Sequence, residues 1–121
     1  MTALPLRDRR ILAVEDDWFI AKGLGRDLAA AGAVVLGPVP SIDKALAMIA
    51  AEPHIDAAVV DVNLGGEMSF PVADALLARG VPFVFATGYT DRDLDARYPQ
   101  VPRCDKPFDF PALERMLASI L

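Results

Sequence analysis

The sequence predicts one α/β domain, a doubly wound parallel sheet built from five β–α units. Short apolar runs alternate along the chain with segments whose apolar residues recur at helical spacing. Glycine or proline punctuates the junctions. The strand-like runs are apolar enough to be covered on both faces, which implies parallel strands joined by right-handed helical crossovers.

The first strand is read over 10–15, and from Asp17 onward Ile20, Leu24 and Leu28 mark one helical face until Gly32 stops it. Ala33-Val34-Val35-Leu36 forms the second strand, which Gly37-Pro38 is expected to break. Ser41 caps a helix carrying Ile42, Ala45, Met48 and Ile49 before Pro53. Residues 57–61 form the third strand, the stretch Asn63 to Ser69 is read as a loop, and a helix from Val72 to Arg79 ends at Gly80. Val81 to Ala86 is the most continuous strand, followed by Gly88 and a weak helix near Asp91 to Arg97. A poor strand near Val101 to Cys104 precedes a clear closing helix, with Asp109 as N-cap and Leu113, Met116, Leu117 and Ile120 on one face.

At 121 residues with 54% hydrophobic content, the chain fits one domain, residues 1–121, with a core that needs no staple. The lone Cys104 reads as a buried, inert thiol, and with no partner for a disulfide the expected setting is the reducing cytoplasm. Arg7, Arg9 and Arg10 precede the first strand without a signal-peptide core, and no run approaches about 18 apolar residues, so secretion and membrane spanning are not expected. Twelve basic against seventeen acidic residues, a net charge of −5, oppose direct nucleic-acid binding. With the closing helix running to Leu121, no output module is expected within the chain, and output would come through contacts with other proteins.

Charged residues stand where the strands end. Glu15-Asp16 follows the first apolar run, Asp61 ends the third, and Lys106 follows the last. In an open parallel sheet the carboxyl ends share one edge, so these side chains converge, which suggests a phosphoryl-transfer pocket. Three carboxylates a few Å apart repel by about 4 kcal/mol per pair at an effective dielectric near 20, so the cluster requires a cation. A hard divalent ion answers this, and Mg²⁺ suits a site that also receives phosphate oxygens.

The acid pair at 15 and 16, the acid at 61, the hydroxyl of Thr87 and Lys106 before Pro107, each at a strand end and in this order, resemble the receiver domain of two-component response regulators, the CheY-like family. The resemblance covers essentially the whole chain. It implies a flavodoxin-like fold with strand order 2-1-3-4-5. Within the family, Pro82-Phe83-Val84-Phe85-Ala86-Thr87-Gly88-Tyr89 looks like the P-F-x-F-A-T-G-[GY] signature of the FAT GUY subgroup, often found in stand-alone receivers.

By this resemblance Asp61 is the nucleophile that forms an acyl phosphate. Asp16 and Asp61 bind Mg²⁺ directly, Glu15 does so through water, and the backbone carbonyl of Asn63 completes the protein ligands. Lys106 supplies a compact positive charge to Asp61 and then to the phosphoryl group. Thr87 donates its hydroxyl to a phosphoryl oxygen and so reports the state of Asp61. A cis peptide before Pro107 would aim Lys106 inward. Asn63 and Tyr89 occupy the positions that gate the attacking water. Where the usual receiver carries a switching aromatic, this sequence has Arg103, and Tyr89 is either the nearest substitute or simply a residue bordering the site.

The resemblance implies a switch in a phosphorelay, phosphorylated by a sensor histidine kinase, for example of HWE type, or by a phosphotransfer protein, and acting on a downstream protein. It would catalyse only its own phosphorylation and dephosphorylation. Two alternatives stand beside this reading: a phosphorylation-independent interaction module, which usually loses part of the acid pair, Asp61 or Lys106, and a haloacid-dehalogenase-like phosphatase. The phosphatase places its nucleophile on the first strand with a second acid two positions later, whereas here the acid pair comes first and Asn63 holds that second position. Other features read blandly. His54 is a surface residue, Asp17 is a helix-start acid, and Gly65-Gly66 and Gly23-x-Gly25 lack the context of nucleotide-binding loops. Trp18 and Phe19 open the first helix, one expected in the core and the other exposed.

Overall fold

Strand β1 (Arg10–Val14) shows how the sheet is covered: Ile11 and Ala13 enter one core, Leu12 and Val14 the other. Successive strand side chains point to opposite faces, so an uninterrupted apolar run supplies two layers at once. β3 (Ala57–Asp61) and β6 (Phe83–Thr87) divide in the same way, Ala57, Val59, Val84 and Ala86 against Ala58, Val60, Phe83 and Phe85. The computed structural model describes residues 4–88, 96–106 and 109–121. Its remaining elements are α1 (Trp18–Ala30), β2 (Val34–Val39), α2 (Ile42–Ala51), β4 (Asn63–Leu64), β5 (Glu67–Met68), α3 (Phe70–Ala78), β7 (Arg103–Asp105) and α4 (Phe110–Ile120).

The main sheet has five parallel strands in the order β2-β1-β3-β6-β7, the expected 2-1-3-4-5 order once the small β4–β5 pair is set aside. Ala45 and Ile49 of α2 and Val72 and Leu76 of α3 cover one face, while Leu24 and Leu28 of α1 and Leu113 and Leu117 of α4 cover the other. Leu6, ahead of β1, is fully buried in this second core. Asp17 and Ser41 cap α1 and α2 as expected, their side chains accepting from the amides of Ile20 and Lys44.

Several boundaries differ from the sequence reading. β2 continues through Gly37-Pro38, whose peptide bond is cis, to Val39. Pro38 is tolerated because β2 is an edge strand and its register against β1 shifts between Leu12 and Val14, so no ladder amide is required of it. Gly37 takes φ +92, and a Cβ there would lie 2.7 Å from the Val39 nitrogen and 3.0 Å from the Ala13 oxygen, so the turn accepts only glycine. The stretch read as a loop contains an antiparallel hairpin, Asn63 opposite Met68 and Leu64 opposite Glu67. Gly65 and Gly66 at its tip have φ +62 and +94, the left-handed pair that a two-residue hairpin turn demands.

Helix α3 starts at Phe70, ahead of the expected Val72, because Pro71 fits a first turn that needs no amide. β6 begins at Phe83 rather than Val81, and β7 runs Arg103–Asp105 rather than Val101 to Cys104. Asp109 holds the N-cap of α4 but its side chain makes no cap hydrogen bond, and Pro111 fits the first turn, where no intrahelical amide is needed. Of the weak helix expected at Asp91 to Arg97, Ala96 and Arg97 are helical and 91–95 lie outside the described residues. Trp18 and Phe19 are both exposed, at 65% and 80%, because the buried stripe of α1 runs through Leu24 and Leu28 and neither aromatic falls on it. The two rings pack edge to face at 5.2 Å, and Lys22 reaches over Trp18 at 4.9 Å.

Candidate functional site

Parallel pairing carries the carboxyl ends of β1, β3, β6 and β7 to one edge of the sheet. There the chain leaves β1 into Glu15-Asp16, ends β3 at Asp61, ends β6 at Thr87 and leaves β7 into Lys106. Backbone bonds fix these exits: the Val62 amide donates to the Ala86 oxygen at 3.0 Å, Lys106 to the Thr87 oxygen at 2.9 Å, and Glu15 to the Val39 oxygen at 3.0 Å.

The side chains expected to meet do so. Carboxylate oxygens of Glu15, Asp16 and Asp61 all lie within 4.8 Å of one another. Lys106 Nζ lies 2.6 Å from Glu15 Oε1 and donates to Asp61 Oδ2 at 3.0 Å. Glu15 and Asp61 are buried and Asp16 is exposed. Burial pushes the Glu15 carboxyl up to about 7, the neighbouring Asp61 adds to this, and Lys106 opposes it. For Lys106, burial pulls downward, but the Glu15 and Asp61 carboxylates outweigh it and hold the ammonium above the usual lysine value. Asp16 feels some burial, yet the Gly65 amide and its other hydrogen bonds bring it below the ordinary aspartate value.

Three carboxylates facing one ammonium leave an excess of negative charge on hard oxygen donors, a donor set that fits a divalent cation such as Mg²⁺. The Asn63 amide donates to Asp61 Oδ1 at 3.1 Å, which sets Asn63 directly beside the acid cluster. Thr87 is buried at the end of β6, one residue past Ala86, the partner of Asp61 in the ladder. Tyr89 and Pro107, and with Pro107 the expected cis peptide, lie outside the described residues. Arg103 opens β7 opposite Phe85, so a cationic residue stands at the position of the expected aromatic.

Sequence reasoning missed three contacts. The Glu15–Lys106 ion pair was read only as Asp61–Lys106. The hairpin tip reaches the site, the Gly65 amide donating to Asp16 Oδ2 at 2.9 Å. The Gly-Gly pair between Leu64 and Glu67 was the signal for that turn. Tyr98 is buried against Phe85 and Phe70, with ring centroids at 5.4 and 5.5 Å, and donates its hydroxyl to Asp74 Oδ1 at 2.7 Å. Nothing in its polar surroundings marked it as a core residue. His54 is exposed and pairs with Asp56 at 2.8 Å ahead of β3, at the opposite end of that strand from Asp61. Cys104 is buried, and burial pushes its thiol up, as an inert thiol requires. Beside Lys106, a cavity of about 200 Å³ is lined by Phe19, Ile20, Gly23, Leu24, Asp27 and Phe110.

No protein-family model matches the chain, and no curated protein matches it. Solved structures do. The fold is shared with a response regulator receiver protein from Sinorhizobium medicae WSM419, TM-score 0.81, at 23% identity over 94% of this chain and 97% of that one. The solution structure of SdrG from Sphingomonas melonis Fr1 matches at 42% identity and TM-score 0.80, covering 99% of this chain and 98% of SdrG. The chain belongs to the response regulator receiver family. The BeF3-activated conformation of SdrG matches this receiver end to end, covering 100% of both chains at 41% identity and TM-score 0.75. A receiver is a signalling switch, and its function lies with a signalling partner. Among the described residues no helix of this receiver is long and apolar enough to cross a membrane.

Proposed function

We propose that this receiver takes a phosphoryl group onto Asp61 in a Mg²⁺-dependent reaction and thereby changes its affinity for a partner protein. The observation that carries the reading is the Lys106 ammonium 3.0 Å from Asp61 Oδ2, within a cluster of three carboxylates. The existence of a BeF3-activated conformation of SdrG, 41% identical, supports it.

Glu15, Asp16, Asp61 and the backbone carbonyl of Asn63 would hold Mg²⁺, which when bound neutralises charge on the phosphoryl oxygens. The Asp61 carboxylate oxygen attacks phosphorus as the bond from phosphorus to the donor's imidazole nitrogen breaks, and that nitrogen leaves with the electron pair. Lys106, already oriented by Glu15, shifts its charge to the transferring oxygens, and the Thr87 hydroxyl donates to one of them. Asn63 and Tyr89 modulate the lifetime of the acyl phosphate. The donor is a sensor histidine kinase, of HWE or a related type, or a phosphotransfer protein. The segment Pro82 to Tyr89 supports membership of the FAT GUY subgroup, and the lone Cys104 supports a cytoplasmic setting. Exposed Phe19 and the cavity beside Lys106 give the donor an apolar footing next to the acceptor.

Incubation with acetyl phosphate and Mg²⁺ followed by intact mass measurement tests this reading. The parent protein gains about 80 Da, one phosphoryl group, and Asp61→Asn does not. Absence of an adduct despite bound Mg²⁺ favours an interaction module, and rapid turnover of many phosphomonoesters favours a phosphatase.

A further inference from the structure

The exposed Asp16 needs something to hold it in place. Glu15 and Asp61 are fixed by burial and by Lys106, whereas Asp16 stands at the solvent edge, where a carboxylate otherwise samples several rotamers. Its Oδ2 accepts from the Gly65 amide at 2.9 Å, across 49 residues of chain, which leaves its other oxygen for a cation. That amide belongs to the tip of a hairpin whose strands are two residues each, and around Gly65 and Gly66 an added Cβ would meet nothing within 4 Å. Leu64 packs into the core one residue earlier, but packing does not reach the tip itself.

Hydrogen bonds hold it instead, and they run through Asn63. Its Oδ1 accepts from the Gly66 amide at 2.8 Å, closing the turn, while its own amide donates to Asp61 Oδ1 at 3.1 Å. One residue thus ties the turn, the buried acid and, through Gly65, the exposed acid.

We propose that Asn63 is a positioning residue for the cation site: its side chain sets the 63–66 turn so that the Gly65 amide holds Asp16 in the ligating arrangement. This rests on the reading that Glu15, Asp16 and Asp61 bind a divalent cation. It gives the Asn63 side chain a task separate from its backbone carbonyl and from gating water.

Mg²⁺ titration by calorimetry on the whole chain, with the Gly65 amide followed by ¹⁵N NMR, tests the proposal. Asn63→Ala weakens Mg²⁺ binding about fivefold, the equivalent of one neutral hydrogen bond, and shifts the Gly65 amide before any metal is added. Asn63→Ser restores affinity to within about twofold of the parent, because a serine hydroxyl can accept from the amide three residues on. Ser41 does this in the same chain, accepting from Lys44 at 3.2 Å. A parent that fails to bind Mg²⁺ overturns this proposal and the phosphoacceptor reading together. A parent that binds, with Asn63→Ala binding equally well or Asn63→Ser no better than Asn63→Ala, overturns the positioning role alone.

Discussion

The ammonium of Lys106 lies nearer to Glu15 than to Asp61, 2.6 Å against 3.0 Å. The lysine is therefore a bridge between two buried carboxylates rather than the private partner of the acceptor. Replacing Lys106 by Met removes the charge that meets the phosphoryl oxygens and also removes a competitor for the carboxylates. Acetyl phosphate labelling of Asp61, read by intact mass, falls about 100-fold. Calorimetric Mg²⁺ affinity stays the same or tightens, and an equal loss of both would contradict the assigned role.

Glu15 makes the cation-free protein sensitive to pH. Its carboxyl holds a proton up to about 7 in the fold, against 4.5 as its ordinary value. The extra stability is therefore complete below 4.5 and is lost as pH rises through 7. Thermal melts in chelator should show Tm falling over that window, and Glu15→Gln, which cannot ionise, should flatten the fall. Asp16 and Asp56, both held below their ordinary value of 3.8, act in the opposite sense and cost stability only in stronger acid. Because the cation must displace the Glu15 proton, Mg²⁺ affinity should weaken by up to about tenfold per pH unit below neutrality.

Tyr98 ties the helical pair Ala96-Arg97 to α3. Its hydroxyl reaches Asp74 at 2.7 Å, and Arg97 lies 4.4 Å over the Phe70 ring that Tyr98 also touches. Tyr98→Phe keeps the ring and loses the hydrogen bond, at about 1 kcal/mol, a Tm decrease of about 4 °C. Tyr98→Ala opens the core and costs about 3–5 kcal/mol in urea denaturation. Equal losses for the two variants would mean that the hydroxyl, not the ring, anchors the segment.

Two glycines should respond in opposite directions to alanine. Gly37→Ala forces φ +92 on a residue with a Cβ and drives that atom against the Val39 nitrogen, costing about 2 kcal/mol or more in chemical denaturation. Gly23 lies within α1 with nothing within 4 Å of an added Cβ, so Gly23→Ala stabilises by about 0.5–1 kcal/mol.

Much of this was legible in the primary structure because central strands bury both faces. The runs at 10–14 and 57–61 could be read directly, and once they are parallel neighbours the acids that follow them must share an edge. Edge and surface elements were less legible. Gly37-Pro38 signals a break, yet on an edge strand the missing amide leaves no ladder bond unmade. The Gly-Gly turn carried a hairpin signal that the shortness of its strands concealed.

Sequence alone determined the order of the main-sheet strands and of the helices α1 to α4, the residues of the acid cluster and the lysine that meets them, because apolar periodicity and strand-end position are properties of local chain. Only the tertiary structure decided that Lys106 bridges to Glu15, that the Gly65 amide reaches Asp16 and that Tyr98 fills the space against Phe85. Each of these joins different elements of the fold, and such contacts are set by how the elements pack together rather than by the residues next to them in the chain.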